Sequence, residues 1–212
     1  MEGALSRLAD AADELAALDP RIARLIAAVD AELIVRRRSD RSKDRFEALA
    51  RIIVGQQVST AAARTVWGRV RDEFGGTVAP IDLIAADAEQ RLRACGLSGR
   101  KASYMIGIAA AIESGALRPD ELDELTDEEV VAELVALKGI GQWSAEMFLI
   151  FDLGRPDVFS GGDLGLRRGI QIAYELEEMP TPEEAIAIAE TWTPHRSLAS
   201  FYLWEAVHAN PG

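Results

Sequence analysis

The stretch LVALKGIGQWSAEMFLIF, Leu134 to Phe151, decides the fold. An amphipathic segment leads into it from a Thr126/Glu129 capping box and runs to Lys138-Gly139-Ile140-Gly141; a second apolar helix begins near Gln142. Gly139 is the expected stop of the first helix, because glycine adopts a left-handed conformation without steric cost. G-x-G turns also occur in dinucleotide-binding loops, but those follow a strand and this one follows a helix, so context excludes that chemistry. Two readings of the turn remain. It is an ordinary corner with Ile140 in the core, or it is a phosphate-binding turn. In the second reading the glycines admit a close neighbour and the next helix's free N–H groups point outward. Such a turn grips a nucleic-acid backbone without reading its sequence.

The same start and stop chemistry recurs outward from this segment. Asp19-Pro20 joins a cap residue to an N1 proline, and PRIARLIAAVDAELIV then sets Ile22, Leu25, Ile26 and Val29 on one helical face. Thr181 and Glu184 form a second capping box around Pro182, and Gly75-Gly76, Gly96 and Gly115 sit where helices are expected to end. No alternating strand pattern or internal repeat is present. The class is therefore all-α, with about ten helices. No glycine- or serine-rich linker divides the chain, so the expectation is one unit of two helical lobes flanking a cleft. Lobe one spans roughly 45–135; lobe two takes 1–44 and 136–212, with the hairpin at 134–151.

With 212 residues, 49% of them hydrophobic, the chain has material for one substantial core or two smaller ones. Its net charge of −12 runs against the basic face usual in nucleic-acid binders. The charge is uneven, however. Residues 112–135 hold nine acidic groups and one arginine, whereas 36–45 hold six basic groups beside Asp40 and Asp44. Such a basic run is ordinarily a solvated face. The opening MEGALSRLADAADEL lacks a basic and an apolar leader region, and no apolar stretch is long enough for a membrane helix, which makes a cytoplasmic location the expectation. Cys95 is the only cysteine and His195 and His208 the only histidines, a set too small for a four-thiolate cluster or a cysteine zinc finger.

Beyond the loop GRPDVFSGG, Asp163 heads the helix LGLRRGIQIAYEL. Aspartate is among the best N-cap residues, so capping alone accounts for it. A functional reading is compatible with the cap. A helix N-terminus favours an anionic side chain, and a fixed carboxylate suits a reaction in which an oxocarbenium cation develops.

Five segments, IIVGQQVSTAAA (52–63), GLSGRKASY (96–104), LKGIGQWSAEMF (137–148), DVFSGGDLGLRR (157–168) and WTPHRSLASFYLW (192–204), resemble in their order the helix-hairpin-helix glycosylase superfamily. The similarity is to its alkylpurine branch, the 3-methyladenine DNA glycosylase II enzymes, in a short form without a preceding mixed α/β domain. The resemblance implies an enzyme that flips alkylated purines of the 3-methyladenine and 7-methylguanine type out of duplex DNA and hydrolyses the N-glycosidic bond. Asp163 would be its catalytic carboxylate. Lys138, Gly139, Ile140, Gly141 and Gln142, with Ser59, would contact the DNA backbone, and Gln57 would fill the gap left by the flipped nucleotide. Trp143 and Trp204 would line the base pocket, joined by Met147 and Leu164 where the best-known bacterial member has tyrosines. A structural Na+ or K+ would rest on the carbonyls of Val135, Leu137 and Ile140, and no cofactor would be needed for the chemistry. In bifunctional relatives a lysine follows the second turn glycine by two positions; Trp143 stands there, implying base removal without strand cleavage. A monomer acting on damaged double-stranded DNA at the bacterial nucleoid is the resulting expectation. Two alternatives stay open: a non-catalytic DNA-binding module, against which Asp163 and the tryptophans speak, and a glycosylase for other lesions.

Overall fold

Helices begin where the sequence supplies an acceptor for their first amides. Asp19 Oδ1 accepts from Arg21 N at 2.8 Å. Thr126 and Glu129 exchange side chain to backbone bonds of 2.8 and 3.3 Å, and Thr181 and Glu184 repeat the box at 2.8 and 3.2 Å. Gly75, Gly76, Gly96, Gly115 and Gly139 all have positive φ, as expected of helix stops.

The structure is a computed structural model in which residues 2–39, 42 and 44–210 are described; the side chains of 2–5, 7 and 39 lie outside the description, as do Arg41 and Lys43 of the basic run. Among the described residues it contains α-helices and no strand. In chain order the helices are α1 (Glu2–Leu18), α2 (Pro20–Ala28), α3 (Ala31–Ser39), α4 (Arg45–Gly55), α5 (Thr60–Glu73), α6 (Pro80–Leu83), α7 (Ala88–Ala94), α8 (Gly99–Glu113), α9 (Asp127–Val135), α10 (Gln142–Phe148), α11 (Leu164–Tyr174), α12 (Pro182–Ala189) and α13 (Arg196–Ala209). Short 3₁₀ segments occur at Pro119–Glu124 and Glu190–Trp192, and a π turn, Leu149–Leu153, prolongs α10. PRIARLIAAVDAELIV is two helices where one was expected. Asp30 accepts from Glu32 N at 2.9 Å and so caps a new helix, one reason that more segments form than the expected ten or so. No described helix is long and apolar enough to cross a membrane.

The chain divides into two compact units, Met1–Asp40 with Gly154–Gly212, and Arg41–Leu153. The hairpin therefore groups with residues 41–135, whereas the sequence reading placed it in the other lobe. The reason is tertiary: α10 packs on α4 and α9 of its own unit, an arrangement that no local pattern reports.

In the first unit α11 lies along α13 at very short range. A Cβ added to Gly169 would sit 2.7 Å from Leu203 Cβ and 2.8 Å from its carbonyl oxygen, so only glycine permits the approach. Trp192, Phe201 and Tyr202 are buried, each fully buried large apolar side chain contributing on the order of 1.5–3 kcal/mol. Asp19, only 5% exposed, is reached by the Tyr174 hydroxyl and by Trp192 Nε1 at 3.0 Å. Burial pushes its carboxyl up, but these donors together with the Arg21 and Ile22 amides bring it below the ordinary value. Tyr174 is pushed up by its burial and by the carboxylate beside it.

The second unit is built around α4, whose Phe46, Leu49 and Ile53 are buried. At its start Arg45 holds both carboxylate oxygens of Asp123, at 2.9 and 2.7 Å, and the Asp152 carbonyl at 2.7 Å. One fork thus ties α4 to the first 3₁₀ segment and to the π turn.

Candidate active site and nucleic-acid contacts

In the first unit the loop ahead of Asp163 is pinned to the start of α13. Arg196 pairs with Asp157 through Nε at 2.8 Å and a terminal nitrogen at 3.0 Å; Ser197 Oγ accepts from Val158 N at 3.0 Å and donates to Val158 O at 3.2 Å. Asp163 N donates to Ser160 O at 3.1 Å and closes the turn. The side chain of Asp163 then caps α11. Its Oδ1 accepts from Leu166 N at 2.8 Å and from Trp204 Nε1 at 3.1 Å. A Cβ on Gly165 would stand 3.1 Å from both Asp163 Oδ1 and Trp204 Cδ1, so this glycine makes room for the indole to reach the carboxylate. Trp204 is in turn set edge-on to Phe201, with centroids 5.8 Å apart. Asp163 is half-buried, and the neighbouring Leu164 is 65% exposed, an unusual exposure for leucine. The result is an oriented carboxylate, held by two N–H donors, beside an apolar side chain open to solvent.

In the second unit the Lys138–Gly141 turn is the corner with a core isoleucine that the first of its two readings expects. Ile140 is 4% exposed and belongs to the core. Gly139 has φ +99°, and a Cβ there would run into the Tyr104 ring. Gly141, by contrast, caps α10 at φ −103°, and nothing lies within 4 Å of an added Cβ. Lys138, Gly141, Gln142 and Trp143 form an exposed run, with Trp143 at 38%. Gln142 Nε2 donates to Glu146 at 2.8 Å, and Met147, one turn beyond Trp143 on α10, is buried at 5%. Ser59 is exposed as the cap of α5 and accepts from Ala62 N at 3.3 Å. Gln57 is exposed in the left-handed conformation at φ 57°. Of the three carbonyls read as cation ligands, Leu137 O accepts from Ile140 N at 3.1 Å, while no turn or cap amide among the described residues donates to Val135 O or Ile140 O. That donor set fits a small hard cation.

Three of the six basic residues of the run, Arg36, Arg37 and Arg45, pair with acids of the chain itself. Arg36 pairs with Glu32 at 3.3 Å; Arg37 Nε approaches the buried Glu205 Oε1 at 2.6 Å, an ion pair outside hydrogen-bond geometry; and Arg45 holds Asp123. For these three arginines the partners favour the structural reading over a DNA-binding face.

Several residues next to these candidates have placements that sequence reasoning missed. Gln56 Nε2 donates to Gly139 O at 2.8 Å and to Ser144 Oγ at 3.2 Å, and Lys101 Nζ donates to Val54 O at 2.8 Å and Gln56 O at 2.7 Å. Gly165 and the Trp204 N–H are the others. Gln56 and Lys101 lie within recognisable segments, but their partners are distant in sequence, and only the position of Gly165 two residues after Asp163 offered a local signal.

Residues 50–195 match the HhH-GPD superfamily of base excision DNA repair proteins. The chain is 35% identical over 171 residues to DNA-3-methyladenine glycosylase 1 of Schizosaccharomyces pombe, covering 79% of this chain and 75% of that protein. It is 32% identical to a putative DNA-3-methyladenine glycosylase of Bacillus subtilis over 76% of this chain and 58% of the relative. Among solved structures, Schizosaccharomyces pombe 3-methyladenine DNA glycosylase in complex with abasic DNA superposes with a TM-score of 0.85 at 32% identity, covering 94% of this chain and 97% of that one.

Proposed function

Because the chain belongs to the HhH-GPD superfamily of base excision DNA repair proteins, we propose that it is a DNA glycosylase that removes alkylated purines and leaves an abasic site. The observation that carries the reading is the half-buried Asp163 carboxylate, oriented by Leu166 N and Trp204 Nε1. Extrusion of the lesion costs least where alkylation has weakened pairing or stacking. Gln57 fills the vacated place in the stack, and the turn from Lys138 to Gln142, with Ser59, holds the phosphates. Alkylation at purine N3 or N7 makes the base cationic, hence a good leaving group and a good partner for the indole faces of Trp143 and Trp204. Leu164 supplies apolar surface for the base, whereas Met147, expected beside it, is enclosed in the core.

As the glycosidic bond lengthens, the pair of electrons leaves with the base and positive charge grows on the sugar. Asp163 stabilises that charge and directs a water to C1′, whose proton it accepts. Trp143 stands where a nucleophilic lysine would be needed for strand cleavage, and the Lys101 ammonium is engaged by two backbone carbonyls. Hydrolysis to an intact abasic strand follows. A Na+ or K+ on the carbonyls of Val135, Leu137 and Ile140 would stiffen the turn and add positive charge towards the phosphate. The workplace of such an enzyme is the DNA itself, in the cytoplasm at the nucleoid of a bacterial cell.

The test is incubation with methylated duplex DNA, chromatography of released bases, and borohydride trapping. Release of 3-methyladenine and 7-methylguanine with no trapped complex is expected. Binding without release would favour a pure DNA-binding module, and a borohydride-trapped complex would overturn the hydrolytic mechanism.

A further inference from the structure

Three neighbouring side chains, Lys101, Tyr104 and Gln56, connect the turn that carries Gln57 with the hairpin turn. Helix α4 ends at Gly55, and its last carbonyls would ordinarily be left to water. Instead the Lys101 ammonium, half-buried on α8, takes Val54 O at 2.8 Å and Gln56 O at 2.7 Å. Cationic donors at a helix C-terminus are favoured both by charge and by the aligned peptide dipoles. Burial pushes the Lys101 amine down. The bonds flank Gln57, the residue held at φ 57°, a conformation that glutamine rarely adopts without support from its surroundings. One turn along α8 from Lys101, the Tyr104 ring fills the space beside Gly139. Gln56 completes the brace by donating to the carbonyl of that same Gly139 and to Ser144 on α10.

We propose that Lys101, Gln56 and Tyr104 are positioning residues that lock the Gln57 turn and the phosphate-gripping hairpin into one rigid piece, so that holding the DNA backbone delivers Gln57 to the base stack. The inference rests on the reading of Gln57 as the inserted side chain. A plain structural cap on α4 explains the two Lys101 bonds. It does not explain why the same helix face and the adjacent glutamine also engage the hairpin glycine.

The experiment uses the full chain and the variants Lys101→Met, Gln56→Ala, Gln57→Ala and Lys101→Met/Gln57→Ala. Single-turnover excision, fluorescence of 2-aminopurine placed beside the lesion, and affinity for undamaged duplex are measured for each. Lys101→Met is expected to slow excision and damp the fluorescence rise about tenfold, with undamaged-duplex affinity within about twofold of the parent. The double variant should be no slower than Gln57→Ala alone, because residues acting through one another do not add. Multiplied losses in the double variant, parental excision by Lys101→Met, or a loss of duplex affinity as large as the loss of excision would each overturn the proposal. Parental excision by Gln57→Ala would remove the premise instead, whereas a slow Gln57→Ala beside a normal Lys101→Met sinks only this inference. Should Lys101→Met melt below the assay temperature, Gln56→Ala keeps the α4 cap and is held to the same outcomes.

Discussion

Asp19 and Asp163 have nearly the same local chemistry and different fates. Each caps a helix, each Oδ1 accepts an early amide of that helix at 2.8 Å, and each carboxylate accepts an indole N–H, from Trp192 at 3.0 Å and from Trp204 at 3.1 Å. Asp19 is 5% exposed, and its Oδ2 also receives the Tyr174 hydroxyl. Asp163 is half-buried beside an exposed leucine. Neither the cap nor the tryptophan marks a reactive carboxylate. What separates the two is exposure, which neither local motif sets.

The largest test of that difference is Asp163→Asn against Asp19→Asn. Asparagine caps helices well, so the first should keep its melting temperature while single-turnover excision falls at least about a hundredfold. The folded fraction of the second should excise at the parental rate; slow excision there would break the comparison. Next comes Trp204→Phe, which keeps a ring but removes the donor to Asp163. A hydrogen bond to a charged acceptor is worth about 1.5–3 kcal/mol, so a drop of about tenfold or more in rate is expected, with little change in duplex affinity. Equal loss of rate and affinity would reduce Trp204 to packing.

The Asp19 contribution should show in stability and in its pH dependence. Its folded carboxyl lies below the ordinary value of about 3.9 for the unfolded chain, so its contribution is complete above that pH and is lost as pH falls through the lower folded value. Urea unfolding should find Asp19→Asn less stable by about 1–3 kcal/mol at pH 7, with the gap closing below about pH 4. A gap independent of pH would assign the loss to shape and not to charge. The smallest effect extends the exposure criterion to the hairpin. Gly139→Ala should cost about 1 kcal/mol or more of stability, because φ is positive and Tyr104 occupies the space. Gly141→Val should leave melting nearly unchanged and weaken all duplexes alike, lesion or not, by a few-fold.

What was legible in the sequence is what is decided within about one helical turn. The Thr126 and Thr181 boxes, the positive-φ glycines and the Asp163 cap are all i to i+3 chemistry, and the structure contains them where the pattern puts them. Asp30 was local too, but its cap competed with an unbroken apolar periodicity and the periodicity was the more conspicuous. Ile140 is the core residue that the corner reading of its turn expected, and a buried side chain does not exclude an outward backbone. The grouping of the hairpin with α4, the reach of Lys101 across 47 residues to Val54, and the space made by Gly165 depend on tertiary approach, for which periodicity carries no signal.

Cys95, the one thiol in the chain, is 5% exposed, donates to the Arg69 carbonyl at 3.6 Å, and is pushed up by burial. Electrophiles attack the thiolate far faster than the thiol, and only where they can reach the sulfur. The agents that methylate purines also methylate accessible sulfur. Protonated and enclosed, the single thiol of the chain is withheld from the class of reagents that creates its proposed substrates.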